Sequence, residues 1–504
     1  MRIKKLFSNV ALGFILQIVS IISGFVVPIA YINNYGSNIN GLIITITQFL
    51  SYISLLEGGV GGVIRAGLFM PLATGDNDKV SRILKASNSF FYKLGYILLI
   101  YIVFLCIFLP FFIKSNVESS SIIILIITIG LSTLAQYFFG ISNQILLQAD
   151  QKQYITNFVL IISIVINTLT IYFLSRFQIN IEIVILFSSL IFFVRPIILK
   201  IYVQKNYDIS KKNQNSEMDL KNKWDGIGHH LAYTLQSSSP VVILVIFTNL
   251  TEVSVYSVYL LVVNGIKKMI TTFSIGVEST FGNMIAKNEM KNMNEKFNLF
   301  EFFIYNIVAI AFSTALVLIM PFVKLYIDSS DSEIYIRPIF AYILIISEAI
   351  FCIRIPYSSL TFAAGHYRET RNGAIVEAIV NVVISSILVF LYGLIGIAIG
   401  YFIAVTIRTI QYIVYSKKNI LKTNFKASLK QFFIYGICLA IIVLINNLLF
   451  EFNPNNFIEW SFQAFISVVL SIIVLIINNI IFFKEIQKKF ASILFNLIYN
   501  IIRR

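Results

Sequence analysis

Charge is scarce in this 504-residue chain, where Asp, Glu, Lys and Arg together make 12%, about half the share usual in soluble domains. An ordinary water-soluble enzyme is thereby excluded. Cysteine is nearly absent too. Cys106, Cys352 and Cys438 each sit inside an apolar run without ligand spacing, so neither a disulfide framework nor a zinc site is indicated. The adjacent His229 and His230 have no further donors near them, whereas zinc needs three or four. A phosphate loop, a nucleophile elbow and a His-Glu-x-x-His helix are all missing, and no outer loop is long enough to fold over a substrate. Neither a cofactor nor an enzymatic activity is expected.

What fills the chain instead is hydrocarbon, at 58% hydrophobic residues and a mean hydropathy of +0.83. A helix needs about 20 apolar residues to cross a bilayer. Fourteen such spans are expected, at 7–32, 39–64, 86–113, 120–147, 154–175, 180–204, 225–249, 253–285, 298–326, 335–363, 371–392, 394–416, 428–450 and 457–483. This partition leaves no room for a soluble catalytic domain. Arg2, Lys4 and Lys5 before an apolar run could imitate a secretory signal. The run continues to about Ile32 without a small-residue cleavage site, and so reads as the first span.

The net charge of +15 fits cytoplasmic loops better than nucleic acid. With both termini inside, 30 of the 39 Lys and Arg fall on the cytoplasmic side. Lys114, Arg176, Lys324 and Arg337 fall outside, and Arg195, Lys267, Lys268, Arg354 and Arg408 lie within spans. Such asymmetry is the positive-inside pattern.

A polar stretch from Asn206 to Lys223 reads as a linker between two lobes. Laid over each other, 195–206 and 408–419 match at Arg195/Arg408, Ile197/Ile410, Tyr202/Tyr415, Lys205/Lys418 and Asn206/Asn419. Pro28 with Pro240, and Asn167 with Asn381, recur at nearly that spacing. The expected layout is therefore an all-α polytopic protein of two six-helix lobes in parallel repeat, 1–206 and 223–420, joined by a cytoplasmic linker at 207–222. Residues 421–504 add spans 13–14 and a tail. In that tail, Phe490, Ile493, Leu494, Leu497, Ile498 and Ile501 at helical spacing, flanked by Lys488, Lys489, Arg503 and Arg504, make an interfacial amphipathic helix.

Intramembrane polar residues are the candidates for function, because a cation at bilayer depth costs about 2.5–3.5 kcal/mol on insertion scales. The eighth span carries a polar stripe of Asn264, Lys267, Lys268, Thr271, Thr272 and Glu278, and two adjacent lysines there require water, an anion or a carboxylate. Pairing with Glu278 is the structural alternative. In the second span Thr47, Ser51, Ser54 and Gly58 share a face beside Glu57, and the glycines 58–62 that follow suggest close packing or a hinge. Glu57 either binds a coupling cation or neutralises a basic neighbour. Gln17, Ser20 and Gly24 before Pro28, and Tyr233 to Ser239 before Pro240, suggest bent helices. Glu348, Arg354 before Pro356, and the stripe Glu377, Asn381, Ser385 complete the set, while symmetry favours a structural role for Arg195 and Arg408.

Taken together, Asn9 to Gly13, Glu57 to Arg65, the basic loop Lys79 to Lys85, Leu147-Gln148-Ala149-Asp150-Gln151-Lys152 and the two-lobed layout resemble the O-antigen and capsule repeat-unit flippases. These belong to the multidrug/oligosaccharidyl-lipid/polysaccharide flippase superfamily. The resemblance spans essentially the whole chain. It implies a bacterial cytoplasmic membrane protein with a central cavity, moving an undecaprenyl-pyrophosphate-linked oligosaccharide to the outer leaflet. Its partners would be the lipid-linked oligosaccharide, membrane lipids, a coupling H+ or Na+ and glycan assembly proteins, with no nucleic acid, and the protein would act as a monomer. Lys267, Lys268, Arg354, Asn264 and Gln17 would then bind substrate, with Glu57, Glu278 and Glu348 as ion-coupling candidates. Related drug exporters often carry a carboxylate in the first span, where this chain has Gln17. Cation efflux is the runner-up, and a membrane glycan polymerase or ligase, which needs large outer loops, comes third.

Overall fold

The computed structural model describes residues 2–113, 117–209, 227–327 and 332–502. Lys114, Asp328, Arg503, Arg504 and most of the 207–222 linker lie outside the described residues. So do the side chains of Arg2, Lys4, His229, His230, Tyr233, Leu494, Leu497, Ile498 and Ile501. Among the described residues the chain is helical with no strand, and thirteen helices are long and apolar enough to cross a membrane. The protein is thus an all-α polytopic membrane protein, as its hydropathy dictates.

The first helix, α1 (Arg2–Tyr35), runs unbroken through Pro28. The second expected span is not one helix. It divides into α2 (Ser37–Ser51), α3 (Ser54–Glu57) and α4 (Val60–Thr74). Gly58 and Gly59 separate α3 from α4 at φ of 53° and 79°, left-handed values that cost glycine nothing and a side chain much more. The continuous face expected through Ser51, Ser54 and Gly58 is interrupted there.

Next come α5 (Asn77–Phe112), α6 (Ser119–Ala135), a π-helical turn at Gln136–Gly140, α7 (Ile141–Ala149), α8 (Gln153–Arg176) and α9 (Ile181–Asn206). Asp76 caps α5, its Oδ1 accepting from the Lys79 amide at 2.9 Å, so that helix begins about two turns before the apolar run. In the place of the seventh span stands α10 (Ile227–Phe247), followed by α11 (Leu250–Ala286) and α12 (Met290–Tyr326). The tenth span is broken into α13 (Pro338–Ile353) and α14 (Ile355–Ala363). Pro356 has no N–H to return to Cys352 and its ring crowds that carbonyl, which leaves Arg354 at the break. The chain continues as α15 (Tyr367–Tyr392), α16 (Leu394–Tyr415), α17 (Phe425–Leu449), α18 (Phe457–Phe482) and α19 (Lys484–Ile502).

Two compact units divide the chain, Met1–Val258 and Tyr259–Arg504. In the first, α1 packs along α8, α6 and α8 along α9, and α2 along α10. At Gly41 a Cβ would stand 1.9 Å from the Leu250 carbonyl oxygen, so only glycine permits that backbone approach. Neutral hydrogen bonds secure it: Asn40 Nδ2 to Ser254 Oγ at 2.7 Å, Gln48 Nε2 to Ser238 Oγ at 2.5 Å, and Thr251 Oγ1 to Asn38 Oδ1 at 2.9 Å.

In the second unit α12 is the central helix, with Phe297, Tyr305, Phe312 and Val323 fully buried against α13, α17 and α18. Asn306, Tyr435 and Asn479 form a buried polar seam that fastens α17 and α18 to it, with Asn479 Nδ2 reaching Asn306 Oδ1 at 2.7 Å. The amphipathic α19 rests on the same helix through Phe490 against Phe302 and Phe303, and through Lys489 paired with Glu295.

Helix starts recur along the sequence. Ser37 and Leu250, Asn77 and Met290, and Ile181 and Leu394 stand at the same spacing as Arg195 and Arg408. Ile141 and Ile355, and Gln153 and Tyr367, depart from it by a single position. A left-handed residue precedes each member of the last pair, Gln151 at φ 57° and Gly365 at φ 74°.

Candidate functional site

Five charged side chains meet in the second unit, contributed by α11, α13, the α13–α14 break, α15 and α16. Lys267 Nζ lies 3.0 Å from Glu348 Oε1 and 4.9 Å from the centre of the Phe351 ring. On that ring the Arg354 guanidinium also stacks, at 4.3 Å, while its Nη1 reaches Glu377 Oε1 at 2.7 Å. The other oxygen of Glu377 faces Arg408 Nε at 3.6 Å. Arg408 in turn donates to Gln411 Oε1 at 2.7 Å and Tyr412 Oη at 2.9 Å, and its guanidinium lies 4.1 Å from the Tyr412 ring.

Local sequence explains how each group arrives there. Lys267 is about 26 Å along α11 from Leu250 at 1.5 Å per residue, and so near the middle of that helix. Arg354 is aimed inward by the break that Pro356 imposes. Arg408 fits because Gly373 on α15 leaves room: a Cβ there would stand 2.1 Å from its Nη1. Gly400 lets α16 approach α15 in the same way, a Cβ meeting Ser385 Oγ at 2.2 Å.

Three cations therefore share one buried layer with two carboxylates. The side chains of Arg408, Glu348 and Glu377 are 2%, 4% and 7% exposed, whereas Lys267 keeps 24%. Buried charges of this kind must be paired to be tolerated, and the count leaves one positive charge in excess.

A family model matches none of this sequence, and no curated protein matches it either. Solved structures do resemble it. The lipid II flippase MurJ in its inward closed conformation superposes with a TM-score of 0.69 at 15% identity, covering 95% of this chain and 99% of that one. An inward-facing multidrug resistance MATE transporter of the MOP superfamily gives 0.65 at 13% identity, covering 82% of this chain and 98% of that one. The Vibrio cholerae MATE transporter VcmN in its bent form gives 0.54 at 15% identity, covering 82% and 96%. The chain has the fold of these transporters. The flippase leaves 5% of 504 residues uncovered, about 25. That is fewer than α17 and α18 together contain, so part of that helix pair is matched in the flippase.

Of the candidates taken from the sequence, the structure joins Lys267 to Glu348 and Arg354 to Glu377, and so brings an expected substrate ligand onto an expected coupling carboxylate. Glu278 is not the partner of Lys267; it is half-buried and acts electrostatically on Tyr367. Lys268 is exposed, without an ion-pair partner among the described residues, and Asn264 is half-buried. In the first unit Gln17 buries Nε2 without a hydrogen-bond partner among the described residues, and Glu57 accepts from the Tyr137 hydroxyl on the π-helical turn.

Sequence reasoning gave Arg408 a structural role and did not link it to Glu377. The signal was available in the spacing of Glu377, Asn381 and Ser385 on one face of α15, together with the small residues Gly373, Gly396 and Gly400.

At the N-terminal end of the first helix, motif residues 9 and 150–152 come together. Asn9 Nδ2 donates to the Gln151 carbonyl at 3.0 Å, and its Oδ1 accepts from the Tyr154 amide at 2.7 Å. Asp150 receives Lys152 at 2.7 Å, the Tyr207 hydroxyl at 2.5 Å and Lys5 at 3.5 Å. Burial alone would raise the Asp150 carboxyl, but Lys152, Tyr207 and Lys5 outweigh it and hold it below the ordinary carboxylate value. Burial and the Asp150 charge push the Tyr207 phenol up. This clasp ties α1, the α7–α8 turn and the end of α9.

Proposed function

We propose that the protein moves an undecaprenyl-pyrophosphate-linked oligosaccharide from the cytoplasmic to the outer leaflet of a bacterial cytoplasmic membrane. It would do so by alternating access of two parallel six-helix lobes, 1–206 and 223–420. The observation that carries this reading is the excess of cations over carboxylates in the buried layer of Lys267, Glu348, Arg354, Glu377 and Arg408. In a low-dielectric site, an unbalanced ammonium or guanidinium favours an anion such as a pyrophosphate or acidic sugar, and repels the cationic drugs of the runner-up reading. The fold shared with a lipid II flippase over 95% of the chain supports it, and the regular recurrence of helix starts supports the parallel lobes.

Lys267, Lys268, Arg354, Asn264 and Gln17 would hold the polar head, while the polyprenyl chain stays in lipid. Glu57, Glu278 and Glu348 are carboxylates able to couple the cycle to H+ or Na+, since no nucleotide site offers another energy source. Removing the protein from its cell should cause one lipid-linked glycan to accumulate on the cytoplasmic face. The Lys267→Ala/Lys268→Ala double mutant should insert normally yet lose flipping in reconstituted vesicles, with Lys→Arg changes retaining part of it. Wild-type transport by the double mutant would sink the assignment.

A further inference from the structure

We infer that Glu348 is a resident competitor for the substrate anion, displaced from Lys267 by the substrate and neutralised by a proton as it leaves. The inference rests on the flippase reading and adds to it the order of charge exchange. Lys267 is the reachable member of the pair at 24% side-chain exposure, and Glu348 sits behind it at 4%. One oxygen of Glu348 holds the ammonium at 3.0 Å, and Oε2 is buried with no hydrogen-bond partner among the described residues. The pair is thus half satisfied. A pyrophosphate oxygen reaching Lys267 replaces one anionic partner with another.

With the diphosphate bound, its two negative charges and those of Glu348 and Glu377 face only Lys267, Arg354 and Arg408, so the displaced carboxylate has no cation to itself. Arg354 is committed to Glu377 at 2.7 Å and lies against the Phe351 ring. Arg408 is held by Glu377, Gln411 and Tyr412 on α16. Cys352, one turn on from Glu348, brings no positive charge. On α12, which packs along α13, Glu301 is taken by Lys417 and Ser428, and Tyr305 pairs with Tyr357. A bare buried carboxylate is expensive, so on this scheme Glu348 takes a proton as Lys267 passes to the diphosphate. The diphosphate diester brings two negative charges, offset by the layer's one excess cation and by the proton on Glu348. On release the proton leaves with the substrate and Glu348 returns to Lys267, so one proton moves outward per cycle and this step draws its drive from the membrane potential acting on the anionic substrate, not from an inward proton flow.

Calorimetric titration tests this with the full-length protein and a short-chain polyprenyl diphosphate N-acetylhexosamine, a diester that does not itself titrate near neutral pH. Run between pH 6 and 8 in buffers of different ionisation enthalpy, the wild type should take up about one proton per ligand bound, and its affinity should fall about tenfold per pH unit. Glu348→Gln should bind about tenfold more tightly at pH 7.5 with no proton uptake. Glu348→Asp, which keeps the charge, should retain the uptake and guards against loss of fold in the amide variant. Unchanged uptake in Glu348→Gln, or weaker binding by it, overturns the exchange while leaving the flippase reading intact. Absence of binding by every form overturns both.

Discussion

Arg195 in the first unit and Arg408 in the second occupy matching places on α9 and α16, yet their surroundings differ. Arg195 buries its Nε with no hydrogen-bond partner and has no ion-pair partner among the described residues. Arg408 is 2% exposed and faces Glu377, Gln411 and Tyr412. At the spacing that separates the starts of α8 and α15, Glu377 falls on Ser163 and Gly373 on Val159, so the first unit has neither the carboxylate nor the glycine. The same spacing, which also separates the starts of α7 and α14, carries Arg354 onto Gly140, where a Cβ would stand 2.9 Å from Pro196. Similar helices in similar order therefore carry different chemistry. A buried cation becomes part of a polar layer only where a neighbouring helix supplies both a counter-charge and a gap.

The largest effect is expected at the counter-charge. Glu377→Ala strands two buried guanidiniums and should lower stability by about 3–5 kcal/mol. Arg195→Met, which removes a charge without stranding a partner, should be neutral or stabilising. Thermal unfolding of both variants in one detergent would measure this, and a costlier Arg195→Met would break the comparison.

Glycines sharpen it. Gly41→Ala sets a Cβ against the Leu250 carbonyl, which cannot swing aside, and should cost about 1–3 kcal/mol. Gly373→Ala meets the movable ends of Gln411 and Arg408, so it should cost less stability while shifting Arg408 from Glu377. Loss of flipping at near-native stability is the expected signature of Gly373→Ala, and of Gly41→Ala a lowered Tm.

Asp150 is the smallest effect and the one set by pH. Its carboxyl is held below its unfolded value, so its contribution is fully present above the unfolded pKa and fades as pH falls through the folded one. Wild type should exceed Asp150→Asn by about 1 kcal/mol at pH 7, in keeping with a partly exposed ion pair, and the gap should close in acid. A gap that persists unchanged to low pH would show that the carboxylate charge is not what holds the clasp.

Much of this was legible because bilayer physics acts on local sequence. Hydropathy alone marked the membrane helices, and the glycines at 58–59 suggested packing or a hinge where the second span divides, whereas the prolines read as bends, Pro28 and Pro240, lie inside single helices and the break at Pro356 was not foreseen. Long-range pairing was another matter. Lys267 and Glu348 lie far apart in the chain, and the eighth span offered its own carboxylate, Glu278, as a more obvious partner. Nothing local distinguishes the two, because which carboxylate faces a lysine depends on the rotation of α11 against α13.

The amino-acid sequence by itself determined that this protein is helical and membrane-embedded, that cations are concentrated at its loops, and that a few charges are left stranded at depth. Those properties follow from the cost of exposing polar groups to hydrocarbon, which each segment meets alone. Only the tertiary structure decided which stranded charges meet: Lys267 with Glu348, and Arg354 and Arg408 with Glu377, but Arg195 with no carboxylate. A charge–charge contact needs helices far apart in sequence to be brought within about 4 Å, and packing rather than hydropathy sets that distance.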